Sequence, residues 1–176
     1  VSVEVTSEEP EEIIRQARDY TKLAENIAVK VTVTDSKGNS LLPVIQKLVS
    51  EDIRVNVTAM TTFNQAILAA KAIDAACPSK INFISIFGGR ISEEQGVEQA
   101  FKVIKDVRVW LDFHGLKNIE IIVGSVRSPE NVEHWAKTGA HILTIPPEVI
   151  AKSLLSARTK ETVSQFIEDA KKSMEQ

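Results

Sequence analysis

The sequence predicts an α/β fold with a parallel sheet. Three observations carry the prediction: six short stretches rich in β-branched residues, a helical pattern after each, and no linker or low-complexity segment between them. Strict alternation of strand and helix calls for right-handed crossovers, which make the strands parallel and cover the sheet with helices.

Taken in order, "VSVEV" (1–5) alternates apolar and polar residues and precedes a helix from Pro10 to about Leu23. That helix puts Ile13, Ile14, Ala17 and Tyr20 on one face, and Pro10 suits its first turn. "IAVKVTV" (27–33) precedes a helix from about Leu41 to Val49, entered through Asn39-Ser40 with Pro43 in the first turn. "IRVNVTAM" (53–60) leads into "TTFNQAILAAKAIDAA", where Thr62 and Gln65 have capping-box spacing. "INFISIF" (81–87) leads through Gly88-Gly89 to one long helix from Glu93 to about His114. Ser92 and Gln95 repeat the box there, and Gly115 closes the helix. "IEIIVGSV" (119–126) is followed by Ser128-Pro129, a cap and a first-turn proline, with Gly139 after the helix. "HILTI" (141–145) precedes a helix starting near Pro147. A last amphipathic helix, from about Thr159 to Met174, presents Val163, Phe166, Ile167 and Ala170.

At 176 residues the chain is expected to form one domain, 1–176. A net charge of −3 gives no electrostatic case for nucleic acid or an acidic membrane as partner. No apolar run approaches the ~20 residues of a membrane helix. Cys77 is the only cysteine, so no disulfide framework forms within one chain and a reducing cytoplasm is the expected location. His114, His134 and His141 share no metal-ligand spacing, and no metal or cofactor is expected.

Two parallel architectures compete. An open doubly wound sheet usually carries a Gly-rich phosphate loop after its first strand, and "TSEEPEE" is nothing like one. The alternative is a closed (β/α)8 TIM barrel, which needs two more strand–helix units. The chain opens inside a strand pattern at Val1, which leads to the expectation that the numbering starts partway into a longer protein, with strands three to eight in view.

The lysine inside "IAVKVTV" then acquires a meaning. Ile27, Val29, Val31 and Val33 share one face of the strand; Ala28, Lys30 and Thr32 share the other. In the first strand, the valines oppose Ser2, Glu4 and Thr6; in the third, Val55 and Val57 oppose Asn56 and Thr58. Helices cover a parallel sheet, so the apolar faces meet them and the polar faces point into a barrel. A carboxylate, an amine, an amide and a hydroxyl there are costly to bury unless they pair. A desolvated amine attacks carbonyls and forms a Schiff base, and Glu4 acting through a water is suited to the proton transfers. The plainer reading of Lys30 is a structural ion pair with Glu4. "GSVR" (124–127) ends the fifth strand in view, at the place where barrels often bind phosphate; Ser125 and Arg127 share parity there, and Arg90 after "FGG" is a second candidate.

"VSVEV", "IAVKVTV", "IRVNVTAMTTFNQAILAAKA", "ISIFGGR", "IIVGSVRSPENV" and "TKETVSQFIEDAKKS" together resemble, in order and spacing, the small transaldolases and fructose 6-phosphate aldolases of the class I aldolase superfamily. The resemblance covers essentially the whole chain. It implies a (β/α)8 barrel in the cytoplasm that transfers a dihydroxyacetone unit between sugar phosphates of the pentose phosphate pathway. Lys30 then matches the Schiff-base lysine. Glu4 and Thr58 match the residues that hold the catalytic water, and Asn56 and Ser85 match contacts to the bound ketose. Arg90, Ser125 and Arg127 match the phosphate-end contacts. Phe87 stands where the aldolase branch typically carries tyrosine, which with Glu4 favours transfer over plain cleavage. The resemblance also implies a homo-oligomer, a pentamer or decamer, with the terminal helix packed on a neighbour. The family's first-strand aspartate and second-strand asparagine are not among these residues, its "SPF" reads "SIF", and Ile91-Ser92 replace the acidic pair after "GR". The competing expectations are a Schiff-base aldolase with another donor and a catalytically silent barrel that serves as an assembly module.

Overall fold

Six parallel strands, hydrogen-bonded in chain order, form an open half-barrel in the computed structural model, which describes residues 1–174. They are β1 (Ser2–Glu4), β2 (Ala28–Thr32), β3 (Val55–Met60), β4 (Asn82–Phe87), β5 (Ile119–Gly124) and β6 (Ile142–Leu143). Between and after them run α1 (Pro10–Thr21), α2 (Leu42–Ser50), α3 (Phe63–Asp74), α4 (Gly88–Gln95), α5 (Val97–Phe113), α6 (Pro129–Ala136), α7 (Pro147–Ser153) and α8 (Ala157–Met174). β1 and β6 are the two ends of the sheet and do not pair with each other. The parallel α/β layout therefore matches the sequence expectation, and closure into a full eight-stranded barrel lies beyond what these strands form.

The helices explain why the apolar faces point one way. Val29, Val31, Val55, Val57, Ile84, Ile86, Ile121 and Val123 are buried in one core with Ile13 and Ala17 of α1, Ile45 and Leu48 of α2, Ala66 and Ile73 of α3, and Ile104 and Val107 of α5. Full burial of such a side chain stabilises the fold by about 1.5–3 kcal/mol, so this helix-facing layer holds the strands in place. The opposite face of the sheet carries the polar residues. The Thr62–Gln65 capping box forms as its spacing suggests: Gln65 N–H donates to Thr62 Oγ1 at 3.2 Å, and Thr62 N–H donates to Gln65 Oε1 at 3.2 Å. Ser128 caps α6, accepting from Asn131 N–H at 3.3 Å.

Two expectations are corrected. The long helix from Glu93 to His114 is two helices, α4 and α5, divided at Gly96. Gly96 has φ 90° and ψ 158°, a conformation that glycine alone adopts readily, so the helical pattern cannot run through it. Ser92 consequently lies inside α4 and caps nothing; its carbonyl accepts from Gly96 N–H at 3.0 Å. The second correction concerns "HILTI", of which only Ile142 and Leu143 are strand. The His141 side chain supplies the ladder before them: Ile121 N–H donates to His141 Nδ1 at 2.9 Å, while His141 N–H donates to the Ile121 carbonyl at 3.1 Å.

The last helix starts at Ala157, two residues earlier than its pattern suggested. None of its residues is buried, and Val163, Phe166 and Ile167 are exposed along one side.

Candidate active site

Strand register decides which side chains become neighbours. Glu4 pairs with Lys30, Lys30 with Asn56 and Asn56 with Phe83; one step further along, Thr32 pairs with Thr58. Parallel strands with matching parity put Glu4, Lys30 and Asn56 side by side on the face away from the helices. Lys30 Nζ lies 3.2 Å from Glu4 Oε2. The two line a cleft of about 230 Å3 with Thr6, Glu8 and Thr32.

The plain structural reading of Lys30 can be weighed by magnitude. The Glu4 side chain is 56% exposed and that of Lys30 is 27% exposed. So open a pair contributes about 0–1 kcal/mol. Stability alone gives little reason for a lysine in the middle of a strand where Ala28 and Thr32 flank it.

Deeper in the sheet the polar groups are dry. Asn56, Thr58 and Ser85 are all buried. Asn56 Nδ2 donates to Ser2 Oγ at 3.0 Å, and Asn56 Oδ1 accepts from Ser85 Oγ at 2.8 Å. The amide is thereby fixed with one N–H committed and its other N–H outside that chain. Thr58 Oγ1 is buried with no partner. A buried hydroxyl without a hydrogen bond costs roughly 1–3 kcal/mol, and it sits where a bulge bends β3. The register between β3 and β4 shifts between Val57 and Met60, and Ala59 takes φ 63°. The bulge keeps Thr58 on the polar face while returning Met60 to the core.

The second predicted cluster forms at the C-terminal ends of β4 and β5. A Cβ on Gly89 would lie 2.0 Å from the Ser125 carbonyl oxygen, so only glycine lets the start of α4 touch the segment after β5. Ser125 itself has φ 61°. Phe87 packs its ring on Gly124, where an added Cβ would be 3.1 Å from its Cδ1. Arg127 is exposed and its side chain forms an ion pair with Glu93 of α4; its backbone N–H donates to Asn131 Oδ1 at 3.2 Å. Arg90 is exposed.

The structure thus joins Lys30 to Glu4 and Asn56 to Ser85 through direct contacts, and sets Ser125 against the Gly89 backbone. It does not join Arg90 to Arg127 by any contact. Two participants are additional. Ser2 was visible only as a residue of Glu4's parity, and Glu93 gave no signal beyond being acidic near Arg90. Among the described residues, no group of three or more His, Cys, Asp or Glu side chains could hold a metal ion. No described helix is long and apolar enough to cross a membrane. Chemically, the arrangement offers one primary amine beside a carboxylate, with amide and hydroxyl groups for an oxygen-rich molecule.

Comparison with known proteins points the same way. A sequence profile of the family described as Transaldolase/Fructose-6-phosphate aldolase matches residues 1–176. A probable transaldolase of Lactiplantibacillus plantarum is 38% identical over 171 residues, covering 97% of this chain and 72% of that protein. A probable transaldolase of Symbiobacterium thermophilum is 34% identical over 169 residues (96% and 72%), and one of Methanococcus maripaludis is 36% identical over 169 residues (96% and 72%).

Proposed function

From the premise that this chain belongs to the transaldolase/fructose-6-phosphate aldolase family, we propose that it transfers a dihydroxyacetone unit between sugar phosphates through a Schiff base on Lys30. The observation that carries this reading is Lys30 Nζ on the polar face of the sheet, 3.2 Å from the Glu4 carboxylate and one strand from the Asn56–Ser85 pair.

In this reading the Lys30 amine attacks the ketone carbon of fructose 6-phosphate or sedoheptulose 7-phosphate, and the carbonyl oxygen leaves as water. The protonated imine draws electrons from the bond between the α and β carbons. That bond breaks, the aldose phosphate departs, and the dihydroxyacetone carbons stay on Lys30 as an enamine. The enamine carbon attacks the aldehyde of the acceptor, and water hydrolyses the new imine to free the amine. Glu4 and Thr58 hold the water that carries protons in these steps; the unpartnered Thr58 hydroxyl supports the assignment. Asn56 and Ser85 bind the hydroxyls of the donor. Arg90, Ser125 and Arg127 form the phosphate end. Phe87 brings no hydroxyl to direct water at the imine, which favours transfer over the aldolase reaction.

The proposal includes the setting. Two further strand–helix units between β6 and β1 would close the half-barrel into a (β/α)8 barrel. The exposed apolar side of α8 fits packing on a second copy, in a pentamer or decamer in the cytoplasm. The metabolic context is the pentose phosphate pathway, and the chemistry uses no cofactor.

Incubation with fructose 6-phosphate and borohydride, followed by intact-mass and peptide analysis, tests the chemistry. The expected result is a reduced dihydroxyacetone adduct on Lys30, absent from Lys30→Ala. A folded wild-type chain that forms no adduct would overturn the reading and leave a silent assembly module. Fructose 6-phosphate cleavage with and without erythrose 4-phosphate separates the two enzyme readings: dependence on the acceptor means transfer, and independence means an aldolase.

A further inference from the structure

The hydrogen bonds that hold Asn56 begin at a residue with no part in the reaction described so far. Asn56 Nδ2 donates to Ser2 Oγ at 3.0 Å, and Ser85 Oγ donates to Asn56 Oδ1 at 2.8 Å. Ser2 stands on β1 and Asn56 on β3, so the first of these bonds crosses over β2. The register provides the crossing. Ser2 pairs with Ala28 and Asn56 with Lys30, which puts Ala28 and Lys30 between them on the polar face. Lys30 carries its ammonium to Glu4, 3.2 Å away. Ala28 offers only a methyl group and is buried, with 2% exposure. A larger residue at Ala28 would stand in the path of the bridge.

What the bridge does follows from the chemistry of a primary amide, which has two N–H groups and one carbonyl oxygen. Ser85 donates to the oxygen from one side and Ser2 accepts one N–H from the other. The amide plane is therefore held at both ends, and one N–H remains for a ligand oxygen. Without the Ser2 hydroxyl, the amide pivots about its single contact with Ser85. Asn56 is itself buried, so water does not readily replace the lost partner.

We infer that Ser2 is a positioning residue: it holds the Asn56 amide in the plane from which Asn56 and Ser85 bind the hydroxyls of the donor sugar. It acts through Asn56 and makes no bond to the sugar. The inference rests on the donor site proposed beside Lys30. It links the first strand to the third and fourth across the small side chain of Ala28.

The initial rate of dihydroxyacetone-adduct trapping, at fructose 6-phosphate concentrations below saturation, tests it together with a double-mutant cycle. Ser2→Ala should lower the rate about fivefold, as the loss of one neutral hydrogen bond implies. Ser2→Thr keeps a hydroxyl and should trap within about twofold of wild type. Asn56→Ala keeps the Lys30 amine and should trap more slowly. Adding Ser2→Ala to Asn56→Ala should then change the rate by less than about twofold, because the partner is already gone. Side-chain 1H–15N spectra recorded without sugar give a second readout. The Asn56 amide resonances should move in Ser2→Ala and stay near their wild-type positions in Ser2→Thr. Equal losses in both backgrounds, wild-type trapping by a folded Ser2→Ala chain, or unmoved Asn56 resonances in Ser2→Ala would each overturn the inference and leave the Lys30 chemistry standing. A wild-type chain that traps no adduct would overturn both.

Discussion

Thr58 shows how a single residue separates stability from function. Its hydroxyl is buried with nothing to bond, so Thr58→Val keeps the shape and removes a polar group that weakens the fold. Melting of the variant should be unchanged or occur a few degrees higher, while on the proposed mechanism, in which this hydroxyl holds the water, transfer activity should fall at least about tenfold. A variant that melts lower would mean that the hydroxyl is satisfied in solution. On the proposed mechanism, in which the carboxylate moves protons and the amine makes the bond, Glu4→Gln should still trap a dihydroxyacetone adduct, at a rate lower by roughly 10²–10⁴. The polar residues of this site were legible because the valines of each strand set the parity, and Lys30, Glu4, Asn56 and Thr58 fall on the opposite beat. Their order of contact was not. That Asn56 would bridge Ser2 and Ser85 depends on register, and register is a property of paired strands.

At the scale of elements, glycines set the limits. Gly96→Ala should destabilise the chain by about 1–3 kcal/mol in urea unfolding, since φ 90° with ψ 158° is closed to other residues. Gly89→Ala should disturb the start of α4 and its contact with Ser125, and on the proposed phosphate end it should raise the KM for sugar phosphates. The break at Gly96 escaped the reading of the pattern because Ser92 and Gln95 imitate a cap and apolar residues continue on both sides; the glycine was the one contrary sign. A pH test belongs to the α1–α2 contact. Arg18 donates to both Glu51 oxygens, at 2.7 and 2.8 Å, and with Lys47 it holds the Glu51 carboxyl down at about 2. A carboxylate with a lowered folded-state value contributes stability above its unfolded value, and loses that contribution as pH falls through the folded one. Glu51→Gln should therefore cost roughly 1 kcal/mol near pH 7, with the difference from wild type fading between about pH 4.5 and 2 in denaturant titrations.

For the whole molecule, the parallel α/β layout was legible in the alternation of elements, whereas the expected closure into an eight-stranded barrel depends on which strands meet at the ends, and β1 and β6 do not pair. α8 is the place to test assembly. Removing residues from Ala157 onward deletes a helix with no buried residue, so the remaining chain should keep its secondary structure and melting behaviour. On the proposed packing of α8 against a second copy, its mass in light scattering should fall to that of smaller species; a mass lowered only by the deleted residues would overturn that packing. The strand order, identical to the chain order, also bears on synthesis. Glu4 and Lys30, partners across β1 and β2, are 26 residues apart. A ribosome adding about 5–20 residues per second exposes each strand for roughly one to five seconds before its neighbour emerges, far longer than the microseconds in which local structure forms. The nascent sheet therefore grows from one side only, and its leading edge is the surface that a chaperone would meet first.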